Sequence, residues 1–110
     1  MNEFTEIEFY ESGSGSSPFV KWFNSLKDIN AKAIIASRLD RLKLGNWGDC
    51  KYLGNGLHEL RIAFGPGYRV YFTRKNGKVV IILAGGHKGT QGRDIEKCLK
   101  ILKKEFGGQK

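Results

Sequence analysis

Hydrophobic and polar positions follow two rhythms along this chain. From Phe4 to Tyr10 acidic residues interleave with apolar ones, and Ile7 and Phe9 share a face, which predicts a first strand. The run Ser12-Gly13-Ser14-Gly15-Ser16-Ser17 is a short flexible connection, too short to separate two domains. Ser17 is placed to cap a helix with Pro18 in its first turn, and Phe19, Phe23 and Leu26 then recur at i, i+4 and i+7. A second helix is expected from Asp28 or Asn30 to Leu44, with Ile35, Leu39 and Leu42 as its apolar stripe and Gly45 as its stop.

Beyond Gly45 the period falls to two. In a strand from Leu57 to Phe64, the residues Leu60, Ile62 and Phe64 take one face and Glu59, Arg61 and Ala63 the other. Gly65-Pro66-Gly67 reads as a turn, Tyr68 to Arg74 as the next strand, and Asn76-Gly77 as a two-residue hairpin turn. Val79 to Gly86 is the most apolar strand and is expected in the interior of the sheet. Thr90 is the expected cap of a final helix that turns Ile95, Leu99, Leu102 and Phe106 inward and stops at Gly107-Gly108. Strand, two helices, three antiparallel strands and a helix make an α+β fold, with one compact antiparallel sheet packed by helices in a single domain, 1–110.

Charge adds the first hint of chemistry. The formal net charge is +8, and it is unevenly spread. Residues 1–50 hold six Lys/Arg against seven Asp/Glu, a net −1, whereas residues 51–110 hold thirteen against four, a net +9. A polyanion such as RNA is the partner such a half attracts, through phosphate neutralisation and counterion release. Cys50 and Cys98 have no metal-ligand spacing and fit a reducing compartment. The start Met1-Asn2-Glu3-Phe4 has no signal-peptide character and the apolar run Val79 to Ala84 is too short to span a bilayer, so the expected location is cytoplasmic, with no membrane partner.

The turns allow a register estimate. With residues 65–67 as the first loop, 62 pairs with 70 and 61 with 71; with Asn76-Gly77 as the second, 69 pairs with 84 and 67 with 86. Glu59, Arg61, Arg69, Tyr71 and Thr73 then share one face, and the loop Gly86-His87-Lys88-Gly89 lies near Arg69. The candidate catalytic set is therefore Arg61, Arg69, Tyr71, His87 and Lys88. Such a patch suits RNA cleavage without a metal: the 2′-OH attacks the adjacent phosphate, and Arg and Lys stabilise the charge that accumulates on the pentavalent phosphorus. Imidazoles ordinarily titrate near neutrality, so His87 is a candidate base or acid, and Tyr71 is a candidate to assist it or to stack on a base. On the final helix Arg93, Lys97, Lys100 and Lys104 form a basic stripe; with Arg74 and Gln91 they are the candidate RNA contacts. No residue set suggests a metal or other cofactor.

At these residues the chain resembles a known family. The run Gly56-Leu57-His58-Glu59-Leu60-Arg61-Ile62-Ala63-Phe64-Gly65-Pro66-Gly67-Tyr68-Arg69-Val70-Tyr71-Phe72 looks like the signature of the RelE/ParE toxin superfamily, nearest its HigB-like, phage-derived addiction-module branch. Gly85-Gly86-His87-Lys88-Gly89-Thr90-Gln91 with Asp94-Ile95 resembles that branch's second block, and the likeness runs from about Phe4 to Leu102. The resemblance implies a RelE-like fold and the toxin of a type II toxin–antitoxin system. It also implies an endoribonuclease (an mRNA interferase) that cleaves mRNA on the ribosome and inhibits translation. The implied partner is a cognate antitoxin of helix-turn-helix, HigA-like kind. By motif position Arg61, Arg69 and Lys88 match the branch's basic residues, while His87 stands where the branch commonly has Asp. ParE-type members share the scaffold, poison DNA gyrase and cut nothing, so a gyrase inhibitor is the alternative, and a non-catalytic RNA-binding module is a third.

Overall fold

The computed structural model describes residues 5–107; Phe4 and Gly108, named above at the ends of the first strand and the last helix, lie outside them. The described chain runs β1 (Glu6–Phe9), α1 (Pro18–Ser25), α2 (Ile29–Lys43), β2 (Cys50–Gly54), β3 (Leu57–Ile62), β4 (Tyr68–Lys75), β5 (Val79–His87), a 3-10 turn (Lys88–Thr90) and α3 (Gln91–Glu105). It is an α+β fold with three helices and one five-stranded sheet. The strand order is β1-β5-β4-β3-β2, with β1 parallel to β5 and the other neighbours antiparallel. The sheet is thus mixed rather than purely antiparallel, and β2 is a strand the alternation did not announce.

Local chemistry accounts for most of these elements. Ser17 accepts the Val20 N–H at 3.2 Å, with Pro18 starting α1; Asp28 accepts the N–H groups of Asn30 and Ala31 at the start of α2. Asn76 and Gly77 both have positive φ, 55° and 68°, as a tight twist-compatible turn requires, but Lys75 pairs with Val79, so the loop holds three residues, 76–78, rather than the expected two. The register differs from the expected one in two ways. In the first hairpin Ile62 pairs with Tyr68, so the loop spans residues 63–67; the shift is two residues along the ladder and keeps every side chain on its expected face. In the second, Tyr71 pairs with Ala84 but Phe72 with Ile82, which leaves Leu83 as the extra residue of a β-bulge.

Both faces of the sheet are covered. Leu60, Ile62, Val70, Phe72, Val80 and Ile82 pack under α1 and α2 with Phe19, Ala31, Ile35 and Leu42. Leu57, Tyr71, Ile81 and Leu83 pack under α3 with Cys98 and Leu102. The α3 face is therefore not a solvated sheet surface. Thr90 does not cap α3 as expected: its hydroxyl donates to the Asp94 carboxylate, which lies over Gly86 where any Cβ would clash. Among the described residues no helix is long and apolar enough to cross a membrane.

Candidate nucleic-acid site

The α3-side face of β3 and β4 carries a charge cluster built around one carboxylate. Glu59 and Arg61 point the same way from β3, Arg69 and Tyr71 from β4, and the ladder sets Arg61 directly opposite Arg69 and Glu59 opposite Tyr71. Two like charges across a strand pair repel. Glu59 offsets this: fully buried, it accepts from Arg61 Nε at 3.2 Å through Oε1 and lies 3.5 Å from Arg69 Nε through Oε2. Oε2 also accepts from Gln91 Nε2, at 2.6 Å, at the start of α3. A buried carboxylate is tolerated only when paired and hydrogen-bonded; Arg61 and Gln91 donate the hydrogen bonds, and Arg69 adds an ion pair without one.

The two arginines emerge at one end of the sheet. There Asp49, Arg61, Ile62, Ala63, Gly67, Arg69 and Lys88 line a depression of about 280 Å³. Arg69 is held a second time, by Nη1 donating to the Gly67 carbonyl at 2.9 Å. The same carbonyl accepts the Lys88 N–H at 2.9 Å and pins the start of the loop after β5. Gly67 has φ +81°, a backbone conformation that favours glycine, and a Cβ there would crowd the Arg69 guanidinium at 3.2 Å. The Arg61 side chain is 36% exposed and that of Arg69 14%, so both reach solvent from a fixed base. Three cationic residues thus border one small opening, an arrangement able to attract an anion.

The remaining predicted residues lie elsewhere. Tyr71 is fully buried beneath α3 and cannot face a substrate; burial first, then the charge of the neighbouring Glu59 and a side-chain hydrogen bond with it, raises its pKa well above the ordinary tyrosine value. Gln91, partly exposed at the start of α3, donates through Nε2 to Glu59 and so props the carboxylate beneath the arginines. Arg74 stands at the far end of β4 on the other sheet face, its guanidinium 5.0 Å from the Trp47 ring and one Nη donating to the Gly77 carbonyl. His87 pairs with Tyr68, whose face is the α1/α2 side, so alternation turns it away from Arg69. It lines a second depression, of about 310 Å³, with Trp22, Thr90, Arg93, Asp94 and Lys97 among others. There His87 Nδ1 accepts the Gly89 N–H at 3.0 Å, which leaves Nε2 as its outward nitrogen. Lys100 and Lys104 continue the exposed basic stripe of α3 beyond Arg93 and Lys97.

Sequence reasoning placed Glu59 on the right face without seeing that α3 buries it. Asp49 was missed because β2 was missed; alternation over so short and half-exposed a strand is a weak signal.

Two comparisons bear on kinship. A family profile described as phage-derived protein Gp49-like matches residues 21–104. A protein of Haemophilus influenzae, described as uncharacterized, is 48% identical over 89 residues, which cover 81% of this chain and 89% of that protein.

Proposed function

We propose that this chain, which belongs to the phage-derived Gp49-like family within the RelE/ParE-like toxin superfamily, is the toxin of a type II toxin–antitoxin pair and acts as a HigB-like endoribonuclease on mRNA. The observation that carries this reading is the trio Arg61, Arg69 and Lys88 around one depression of about 280 Å³, with Glu59 buried beneath two of them. In this reaction the RNA 2′-oxygen bonds to the adjacent phosphorus and the 5′-oxygen departs. The three cations stabilise the dianionic phosphorane between those events. The second depression, with His87, Arg93 and Lys97, suits the strand flanking the cut, and the lysines of α3 track its phosphates. The ribosome presents the message, the cytoplasm is the site of action, and a helix-turn-helix antitoxin silences the protein by covering the arginine depression.

Induced expression is expected to arrest growth and deplete full-length mRNA, with new ends inside translated regions. The purified protein is expected to leave 2′,3′-cyclic phosphate and 5′-OH termini. Arg69→Ala, folded by circular dichroism, is expected to lose about a hundredfold or more in kcat, the typical cost of one such donor. Intact mRNA together with accumulating gyrase–DNA cleavage complexes replaces this reading with the ParE-type one. Binding of RNA with no new ends replaces it with a non-catalytic module.

A further inference from the structure

The cleavage step needs a group to take the 2′-OH proton, and the arginine depression offers few. It is lined by Asp49, Arg61, Ile62, Ala63, Gly67, Arg69 and Lys88, and the ladder sets Asp49 opposite Arg61, on the same face. Ile62 and Ala63 have no proton chemistry, and the arginines stay protonated in any protein setting. Lys88 enters as an ammonium that can give a proton but not take one. Glu59 lies beneath, fully buried, with both oxygens held by Arg61, Arg69 and Gln91. His87 opens on the other depression.

Asp49 differs from all of these. It is exposed, and among the described residues its carboxylate has no ion pair. Its backbone, by contrast, is fixed: the Asp49 carbonyl accepts the Arg61 N–H at 2.9 Å and Arg38 Nη2 at 3.3 Å. Arg38, reaching across from α2, also donates to the carbonyls of Arg61 at 2.7 Å and Trp47 at 3.2 Å. One guanidinium thus clamps the segment that carries Asp49 against the strand that carries Arg61.

We propose that Asp49 is the general base of this site, a role that rests on the ribonuclease reading above. The carboxylate takes the proton of the 2′-OH as that oxygen forms its bond to phosphorus. The P–O5′ bond then breaks, its electron pair leaves with the 5′-oxygen, and the Lys88 ammonium gives that oxygen a proton. The products are a 2′,3′-cyclic phosphate and a 5′-OH end. A proton returned through water from Asp49 to Lys88 resets the pair.

The test compares wild type, Asp49→Asn and Asp49→Glu on one cleavable RNA and on the same RNA with a 2′-deoxy nucleotide at the cut. Asp49→Asn keeps the side-chain shape, and its expected kcat is lower by about a hundredfold or more, as for loss of a general base. Binding of the 2′-deoxy RNA is expected to hold or tighten, and Asp49→Glu to regain part of the rate. Wild-type cleavage with a fully active Asp49→Asn, or with an Asp49→Asn loss that lies in RNA binding rather than in kcat, overturns the assignment of Asp49 alone. A wild-type protein that leaves both RNAs uncut overturns the ribonuclease reading and this proposal with it.

Discussion

The same strands present two chemically different faces. Toward α1 and α2 the buried side chains are apolar throughout, from Phe19 and Ile35 to Leu60, Val70, Phe72 and Ile82, and rings pack on one another at 5.5 to 5.8 Å from Phe9 through Phe19 to Phe23. Toward α3 an apolar patch of Leu57, Ile81, Leu83 and Leu102 coexists with Glu59, Thr73 and Asp94, the buried polar residues among those described. Burying a charge is costly, and a carboxylate walled in by guanidinium groups is often no more stable than a hydrophobic replacement. The first face is what a fold needs. The second accepts the cost of a buried ion and gains two arginines held in place before any phosphate arrives, which a solvated surface pair would not supply.

Adjacent residues of β3 offer the sharpest way to break this contrast. Leu60→Ala empties a site in the apolar core and is expected to lower stability by about 2–5 kcal/mol, leaving cleavage per folded molecule unchanged. Glu59→Ala is expected to cost about 3–5 kcal/mol, because it strands the largely buried Arg69 guanidinium, and to abolish cleavage as well. Urea denaturation paired with turnover corrected for the folded fraction separates the two; a Glu59→Ala protein with normal corrected turnover erases the functional distinction between the faces.

A smaller effect is expected on the outer side of α3. Replacing Lys97, Lys100 and Lys104 together by Ala is expected to weaken RNA binding and reduce the slope of log K against log salt by up to about 2, with kcat at saturation unchanged. Titrations at several salt concentrations read this out, and an unchanged slope removes the stripe from the interface. The smallest effect concerns the apolar face. His58 there stacks on Phe72 at 5.0 Å and meets Trp47 edge-on at 5.2 Å; burial, then the charge of Arg74, holds its pKa below the ordinary value of 6.5. The unfolded chain therefore takes the proton first as pH falls. The stability this group contributes is complete above pH 6.5 and declines as pH drops from there toward its lowered folded value. His58→Phe is expected to flatten that part of the melting temperature's pH dependence; an equal decline in the variant assigns it to other groups.

What the sequence made legible was local. Ser17 and Pro18 at a helix start, Asn76-Gly77 at a hairpin, and the alternation that sorts Leu60 from Arg61 all act within a few residues, and the structure carries each of them. What escaped was long-range. The parallel pairing of β1 with β5 joins segments some seventy residues apart. The cover of α3 over Glu59 and Tyr71 depends on where a helix lands, and no periodicity encodes that. The arginines were found because a register error of two residues preserves faces. His87 was misplaced because the nearness of its loop to Arg69 was not weighed against its face: a three-residue turn and the bulge each add one, so Arg69 meets Gly86 instead of position 84 and parity is kept. Arg74 was misplaced because distance along a strand was not weighed against its face.

That bulge sets a parity rule for the end of the sheet. Leu83 and Ala84 follow one another on the α3 side, so everything after them is read half a period out of step with Ile81 and Ile82. Gly85 thereby meets the Trp22 ring, Gly86 meets Asp94, and His87 and Lys88 are dealt to different depressions. A chain shortened by one residue here would exchange those assignments at a stroke, bringing His87 round to the arginines and Gly85 to α3. One shortened by two would restore the faces but slide Lys88 along the ladder from the Gly67 carbonyl that holds it. Length change at this point therefore acts twice: odd steps exchange faces, and even steps keep the faces while moving residues along them.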